Sequence, residues 1–227
     1  MFHPSYAMKS QPILFLISAP SGGGKTTVMN GLLAAMPGLQ RVVTCTTRPP
    51  RPTERDGVEY HFLRPGEFEV RVARGEFLEH ADVYGNRYGT RREAVLDLLN
   101  AGSDVILSLD VQGAATVRRL ATSDPVLKPA LVTAFITPRS LAELECRLRS
   151  RAGDSEAVIQ KRLASAEQEI LQWPTFDYLV VSDTRASDLA RIQSIFAAEK
   201  SRCSRLDFQF GGSRTQPTHK PVCPQIE

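Results

Sequence analysis

The sequence predicts an α/β protein with a parallel central sheet, and three observations carry that prediction. Apolar, strand-like runs alternate with helical patterns along most of the chain. The runs are almost continuously apolar, as befits strands covered on both faces. The first of them breaks into glycines, then a lysine and two threonines, in "ISAPSGGGKTTV" (Ile17–Val28).

The elements follow in order. Pro12 to Ala19 reads as a strand leading into a helix from Lys25 to about Met36. Val42 to Thr46 is a short strand candidate. Asp104 to Asp110 is a strand followed by a helix near Gly113 to Leu120. Ala130 to Thr137 and the helical pattern Pro138 to Arg149 repeat the unit. Phe176 to Ser182 and a helix from about Ala186 to Lys200 complete it. Two stretches break the rhythm. Thr47 to Tyr88 mixes short alternating segments with Gly, Pro and charges, and reads as a small antiparallel insertion with one helix near Gly66 to Arg74. Arg147 to Leu163 joins a basic helix end to a new helix, with Asp154 or Ser155 as its N-cap. Met1 to Gln11 reads as a short leader, and Arg202 to Glu227, polar and rich in Pro, Ser and Thr, as a mobile tail.

Composition narrows the class. The chain has 227 residues and a net charge of +3, which gives no reason to expect a nucleic-acid partner. Arginine outnumbers lysine, and its planar fork suits phosphate. No apolar run approaches the ~20 residues of a membrane span, and the N-terminus lacks the regions of a signal peptide. Cys45, Cys146, Cys203 and Cys223 are scattered, which is neither a disulfide framework nor a zinc spacing, and suits reduced thiols in the cytoplasm.

The spelling from Ala19 is Ala19-Pro20-Ser21-Gly22-Gly23-Gly24-Lys25-Thr26, against the phosphate-loop pattern G-x-x-x-x-G-K-[ST]. Glycines leave room for a close phosphate and permit the positive φ that turns successive N–H groups inward. With the dipole of the following helix these donors form an anion cradle. Lys25 can reach the β- and γ-phosphates, the Thr26 hydroxyl can ligate Mg²⁺, and Thr27 continues the loop's contact set. A small residue, Ala19, replaces the first glycine and still leaves room.

A second constellation follows, "TCTTRPPRPTERDGVEYHF" (Thr44–Phe62), in which prolines stiffen the backbone between Arg48 and Arg51. Then come "FLEHADVYGNRYGT" and "VILSLDVQG". With these motifs in this order, the sequence resembles the guanylate kinases, enzymes that move a phosphoryl group from ATP to GMP. The resemblance runs from about Ile13 to Leu189. It implies a three-layer P-loop kinase fold with a parallel central sheet, a small mixed GMP-binding insertion and a helical lid. It implies Mg²⁺ as cofactor, with ATP and GMP or dGMP as substrates. Arg48, Arg51 and Tyr60 would hold the GMP phosphate, helped by Tyr88. Glu79, with Thr44 and Thr90, would read the guanine, and Asp110 would lie against the same nucleotide. Arg151 and Arg162 match the family's lid arginines, with Arg147 a candidate to assist. The catalytic set is then Lys25, Arg48, Arg151 and Arg162. The domains implied are a leader (1–11), a core (12–43, 89–146 and 170–201), the insertion (44–88), the lid (147–169) and the tail (202–227).

Elementary chemistry agrees with those roles. Guanine presents N1–H and the N2 amine side by side, and one carboxylate accepts from both, whereas adenine offers a bare acceptor at N1. Such matching discriminates by roughly 10⁴. Phosphoryl transfer spreads negative charge over oxygens that arriving arginines neutralise, and closure of lid and insertion excludes water. The GMP phosphate is already an anion, so no general base is required, and His3, His61, His80 and His219 show no partner pattern. Two positions depart from the family: Ser108 stands where an acidic residue usually precedes Asp110 by two, and Ser182-Asp183 where Asn-Asp is common. Two other classes compete. A family-like interaction module without chemistry would lose Lys25 and the lid arginines. A P-loop kinase for a sugar phosphate would need neither Glu79 nor the Arg48, Arg51 and Tyr60 set.

Overall fold

In a computed structural model of the chain, residues 7–83, 85–150 and 155–209 are described. The elements run β1 (Ala7–Ser10), β2 (Leu14–Ser18), α1 (Lys25–Ala35), β3 (Leu39–Arg41), β4 (Cys45–Thr46), β5 (His61–Phe62), α2 (Pro65–Ala73), β6 (Phe77–Val83) and β7 (Asn86–Arg91). They continue with α3 (Arg92–Asn100), β8 (Asp104–Leu109), α4 (Val111–Ala121), α5 (Leu127–Ala130), β9 (Leu131–Thr137), α6 (Leu141–Arg149), α7 (Glu156–Ile170), β10 (Tyr178–Val181), α8 (Arg185–Lys200) and β11 (Leu206–Gln209).

Strand β2 is buried along its whole length because it lies in the middle of a five-stranded parallel sheet of order β10-β9-β2-β8-β3. Period-two alternation sends its side chains to two different cores. Ile13, Phe15 and Ile17 meet Val28, Met29 and Leu32 of α1 and Ile192 and Phe196 of α8, with the Phe15 and Phe196 rings edge to face at 5.7 Å. Leu14 and Leu16 share the opposite core with Val95 and Leu99 of α3 and Ala114 and Val117 of α4. Each fully buried Leu, Ile or Phe contributes about 2 kcal/mol against exposure, so this strand anchors three layers. Its register puts Ser18 beside Leu109 and Phe135. The phosphate loop therefore leaves the sheet at the carboxyl ends of its strands, where open α/β sheets bind ligands.

A second sheet, of order β5-β4-β7-β6, carries α2 on one side. Its core is small: Phe68 of α2 stacks on Phe77 at 4.5 Å, above the buried Cys45. An irregular register between Phe77 and Glu79 lets Leu78 join the main core while Glu79 pairs opposite Thr90. A bulge of this kind re-aims a side chain. Helices α6 and α7 form a pair through Leu144, Leu148, Ile159 and Ala166.

The structure corrects several expectations. The Val42–Thr46 strand is instead the crossing between sheets: Leu39–Arg41 ends the central sheet and Cys45–Thr46 begins the second. Its β-branched run resembles a strand, but Val42 is buried beneath the crossing. Helix α3, absent from the sequence reading, has the apolar pair Val95 and Leu99 but no capping side chain at Arg91 to announce it. The ends also differ. Ala7–Ser10 pairs antiparallel with Leu206–Gln209, and Arg205, just before the second strand, is buried, so 7–10 and 202–209 are structured segments rather than leader and mobile tail. Their alternation is short and polar, which hid the strands.

Candidate functional site

The phosphate loop takes its shape from its glycines. Gly22 (φ +84°) and Gly24 (φ +95°) occupy the left-handed region, and Gly24 caps α1. A Cβ on Gly23 would lie 2.8 Å from the Ala19 Cβ and 3.0 Å from the Pro20 carbonyl oxygen. Those two residues are buried, and Gly23 N–H donates to the Pro20 carbonyl at 2.8 Å. The Lys25 ammonium reaches back to the Ala19 carbonyl, and to that of Pro20 at 3.4 Å. The side chains of Thr26 and Thr27 are exposed on the first turn of α1. A cavity of about 550 Å³ opens beside Gly22, Gly23, Gly24 and Thr27 and continues to Arg147, Ser182 and Asp183.

A cavity of about 200 Å³ lies between Lys25, Thr26, Thr44 and Tyr60, and one of about 250 Å³ between Thr44, Tyr60, Glu79, Tyr88 and Asp110. The two have Thr44, Tyr60, Ser108 and Leu109 in common, so one cleft runs from the phosphate loop to Glu79. Glu79 is only 4 % exposed and accepts the Thr90 hydroxyl at 2.6 Å. Burial pushes its carboxyl up to about 7, with the Asp110 charge adding to the rise and the Thr90 hydrogen bonds opposing it. Gly113 makes the approach possible, since a Cβ there would stand 2.9 Å from Oε2 of Glu79. Asp110 caps α4 by accepting from Gly113 N–H at 2.8 Å. Burial raises the Tyr60 phenol above its ordinary value.

Arg48 lies over the Tyr60 ring, 5.5 Å from its centroid, and its Nη2 donates to both Glu54 carboxylate oxygens at 2.8 and 2.9 Å while Nη1 donates to the Pro49 carbonyl at 2.7 Å. Glu54 also accepts from Arg51 N–H at 2.8 Å. The Arg51 side chain is exposed beyond this turn. Two groups escaped the sequence reading. Glu54 folds the arginine-bearing loop, a role only its spacing of three and six from the arginines hinted at. Arg41 lines the cavity with Lys25 and donates to the Glu59 carbonyl at 2.9 Å, and no motif singled it out.

On α6, Arg147 donates to Glu143 at 2.5 Å and to the Ser182 hydroxyl at 2.9 Å. Ser182 in turn donates to the buried Asp188 at 2.6 Å. Arg162 lies on α7, while Arg151 and Asp154 lie outside the described residues. Among those residues no group of three or more His, Cys, Asp and Glu is arranged to hold a metal ion. Cys45, Cys146 and Cys203 are free thiols, and no described helix is long and apolar enough to cross a membrane.

Comparison with known proteins adds a family to this geometry. The family model described as Guanylate kinase matches residues 10–199. A curated guanylate kinase of Alkalilimnicola ehrlichii is 45% identical over 192 residues, covering 85% of this chain and 91% of the relative. One of Neisseria gonorrhoeae is 47% identical over 192 residues, covering 83% and 90%. The crystal structure of guanylate kinase from Anaplasma phagocytophilum superposes with a TM-score of 0.70 at 31% identity, covering 88% of this chain and 92% of that one.

Proposed function

The chain belongs to the guanylate kinase family, and we infer from that premise how its cleft passes the γ-phosphoryl group of ATP to GMP, giving ADP and GDP. The continuous cleft from Lys25 to Glu79 carries this reading. Adenine and ribose fit the larger cavity, with the triphosphate on the N–H groups of Gly22, Gly24, Lys25, Thr26 and Thr27 and on the Lys25 ammonium. GMP fits the smaller end. Glu79 accepts N1–H and N2–H of the guanine, and Thr90, held against Oε1, keeps the carboxylate aligned. Thr44 and Asp110 border the same nucleotide, and Tyr60, Tyr88, Arg48 and Arg51 face its phosphate. Residues 44–88 are then the acceptor domain and 147–169 the lid.

The family implies a metal ion carried on the nucleotide. The hydroxyls that line the cavity beside Lys25, Thr26 with Ser108 behind it, suit a hard cation that takes most of its ligands from phosphate and water, and we assign Mg²⁺. Held beside the Thr26 hydroxyl, such an ion would supply neutralisation of the phosphate charge. The protein's own work is positioning. Lys25 and the loop amides hold the donor phosphates in line with the acceptor, Arg48 and Tyr60 hold the attacking phosphate, and Arg151 and Arg162 balance charge on the group in flight. Free thiols suit a cytoplasmic setting.

Steady-state ADP formation from GMP with Mg·ATP tests the reading. Turnover should fall by about two orders of magnitude or more in Lys25→Met, and AMP should replace GMP poorly as acceptor. Binding of ATP without conversion of GMP at any magnesium concentration would overturn it.

A further inference from the structure

We propose that Glu169 is a positioning residue for phosphoryl transfer, fixing the base of α7 to the phosphate loop and thereby placing Arg162. This rests on the phosphotransfer reading above. Ser21 N–H, in the loop itself, donates to Oε2 of Glu169 at 2.9 Å across 148 residues of sequence. The carboxylate is half-buried beside the Lys25 charge. Arg162 precedes Glu169 by seven residues, two turns of helix, so both project from the same face of α7. The loop is held at a second point as well. A Cβ on Gly22 would stand 2.9 Å from Leu148 and 3.1 Å from Leu144 of α6, and both leucines pack against α7 through Ile159 and Ala166. The helix that brings the arginine is thus fastened by an ionic hydrogen bond to the backbone that cradles the donor phosphates. A displacement of about 1 Å at a reacting centre can cost a hundredfold in rate, so a fixed pivot has catalytic value although Glu169 touches no reacting atom.

Steady-state kinetics on the full chain test the link. Glu169→Ala should lower kcat about tenfold or more while the KM for ATP moves less than about threefold, because the defect lies in placement rather than ground-state binding. Glu169→Gln keeps an acceptor oxygen for Ser21 N–H and should restore kcat to within about threefold of the unaltered protein. Glu169→Ala added to Arg162→Ala should cost no more than about twofold further, because the first acts through the second. A kcat for Glu169→Ala within about twofold of the unaltered protein, a glutamine variant as slow as the alanine, or multiplicative losses in the double variant would each overturn the proposal. Amide exchange at Ser21 in the ligand-free chain provides a readout independent of turnover. It should quicken in Glu169→Ala, and unchanged exchange there would also sink the proposal. A chain that failed to turn over GMP while showing the quickened exchange would reject the functional reading and keep the link.

Discussion

In the proposed function, Glu79 carries a titration that couples substrate choice to pH. Its carboxyl is raised to about 7, chiefly by burial, whereas guanine's two N–H donors call for the ionised form. GMP binding must therefore expel a proton below neutrality. The KM for GMP should climb by up to about tenfold per pH unit below 7, and this part of the climb should vanish in Glu79→Gln, which retains the phosphate's own titration as an internal control. The same variant should lose most of its preference for GMP over AMP, and an unchanged preference would remove Glu79 from the base site. Stability follows with a fixed sign. A carboxyl raised on folding carries no penalty below its unfolded value of 4.5 and the full penalty above about 7. Glu79→Gln should thus be the more stable protein at pH 8, by at most about 3 kcal/mol, and should lose that advantage near pH 4, as thermal melts at the two pH values will read.

The phosphate loop is an element whose shape is set by what its glycines exclude. Gly23→Ala would press a methyl group against Ala19 Cβ and the Pro20 carbonyl, both backed by buried residues. The expected result is a KM for ATP raised about tenfold or more, with GMP affinity by calorimetry unchanged; an unaltered KM would mean the loop yields. This element was legible in the chain because its signal is local: strand, glycines, lysine, helix. So were β8, β9 and β10, whose apolar runs need no partner to be recognised. The second sheet was legible only as an irregularity. Its strands are two to seven residues long, and their pairing depends on contacts far apart in sequence. Helix α3 was missed because its amphipathic stripe starts behind two arginines without a cap. In the site, Glu79 could be proposed from its motif and the chemistry of guanine. Arg41 and Glu169 could not, because each matters through a cavity wall or a backbone group that no spacing in the sequence encodes, and Glu54 showed only in its spacing of three and six from the arginines.

At the scale of the molecule, the far end of the fold is tied by charge. Glu199 and Arg205 are both buried, 3.2 Å apart, with Tyr178 adding a hydroxyl at 2.5 Å. Arg205→Ala would leave the buried Glu199 carboxylate to Arg202 and Tyr178 and should cost about 2 kcal/mol of stability while kcat stays within about twofold; a matching loss of turnover would show that this strap reaches the cleft. At the working end, small-angle scattering should record a smaller radius of gyration when ATP analogue and GMP are bound together than with either alone, as closure over both requires. The lining that Thr44, Tyr60, Ser108 and Leu109 give to both parts of the cleft has a thermodynamic corollary. Two ligands seated along one cleft share a single coupling free energy, so whatever factor one nucleotide imposes on the affinity of the other must be returned in full. A titration of either ligand in the presence of its neighbour therefore fixes the reciprocal constant without a second experiment.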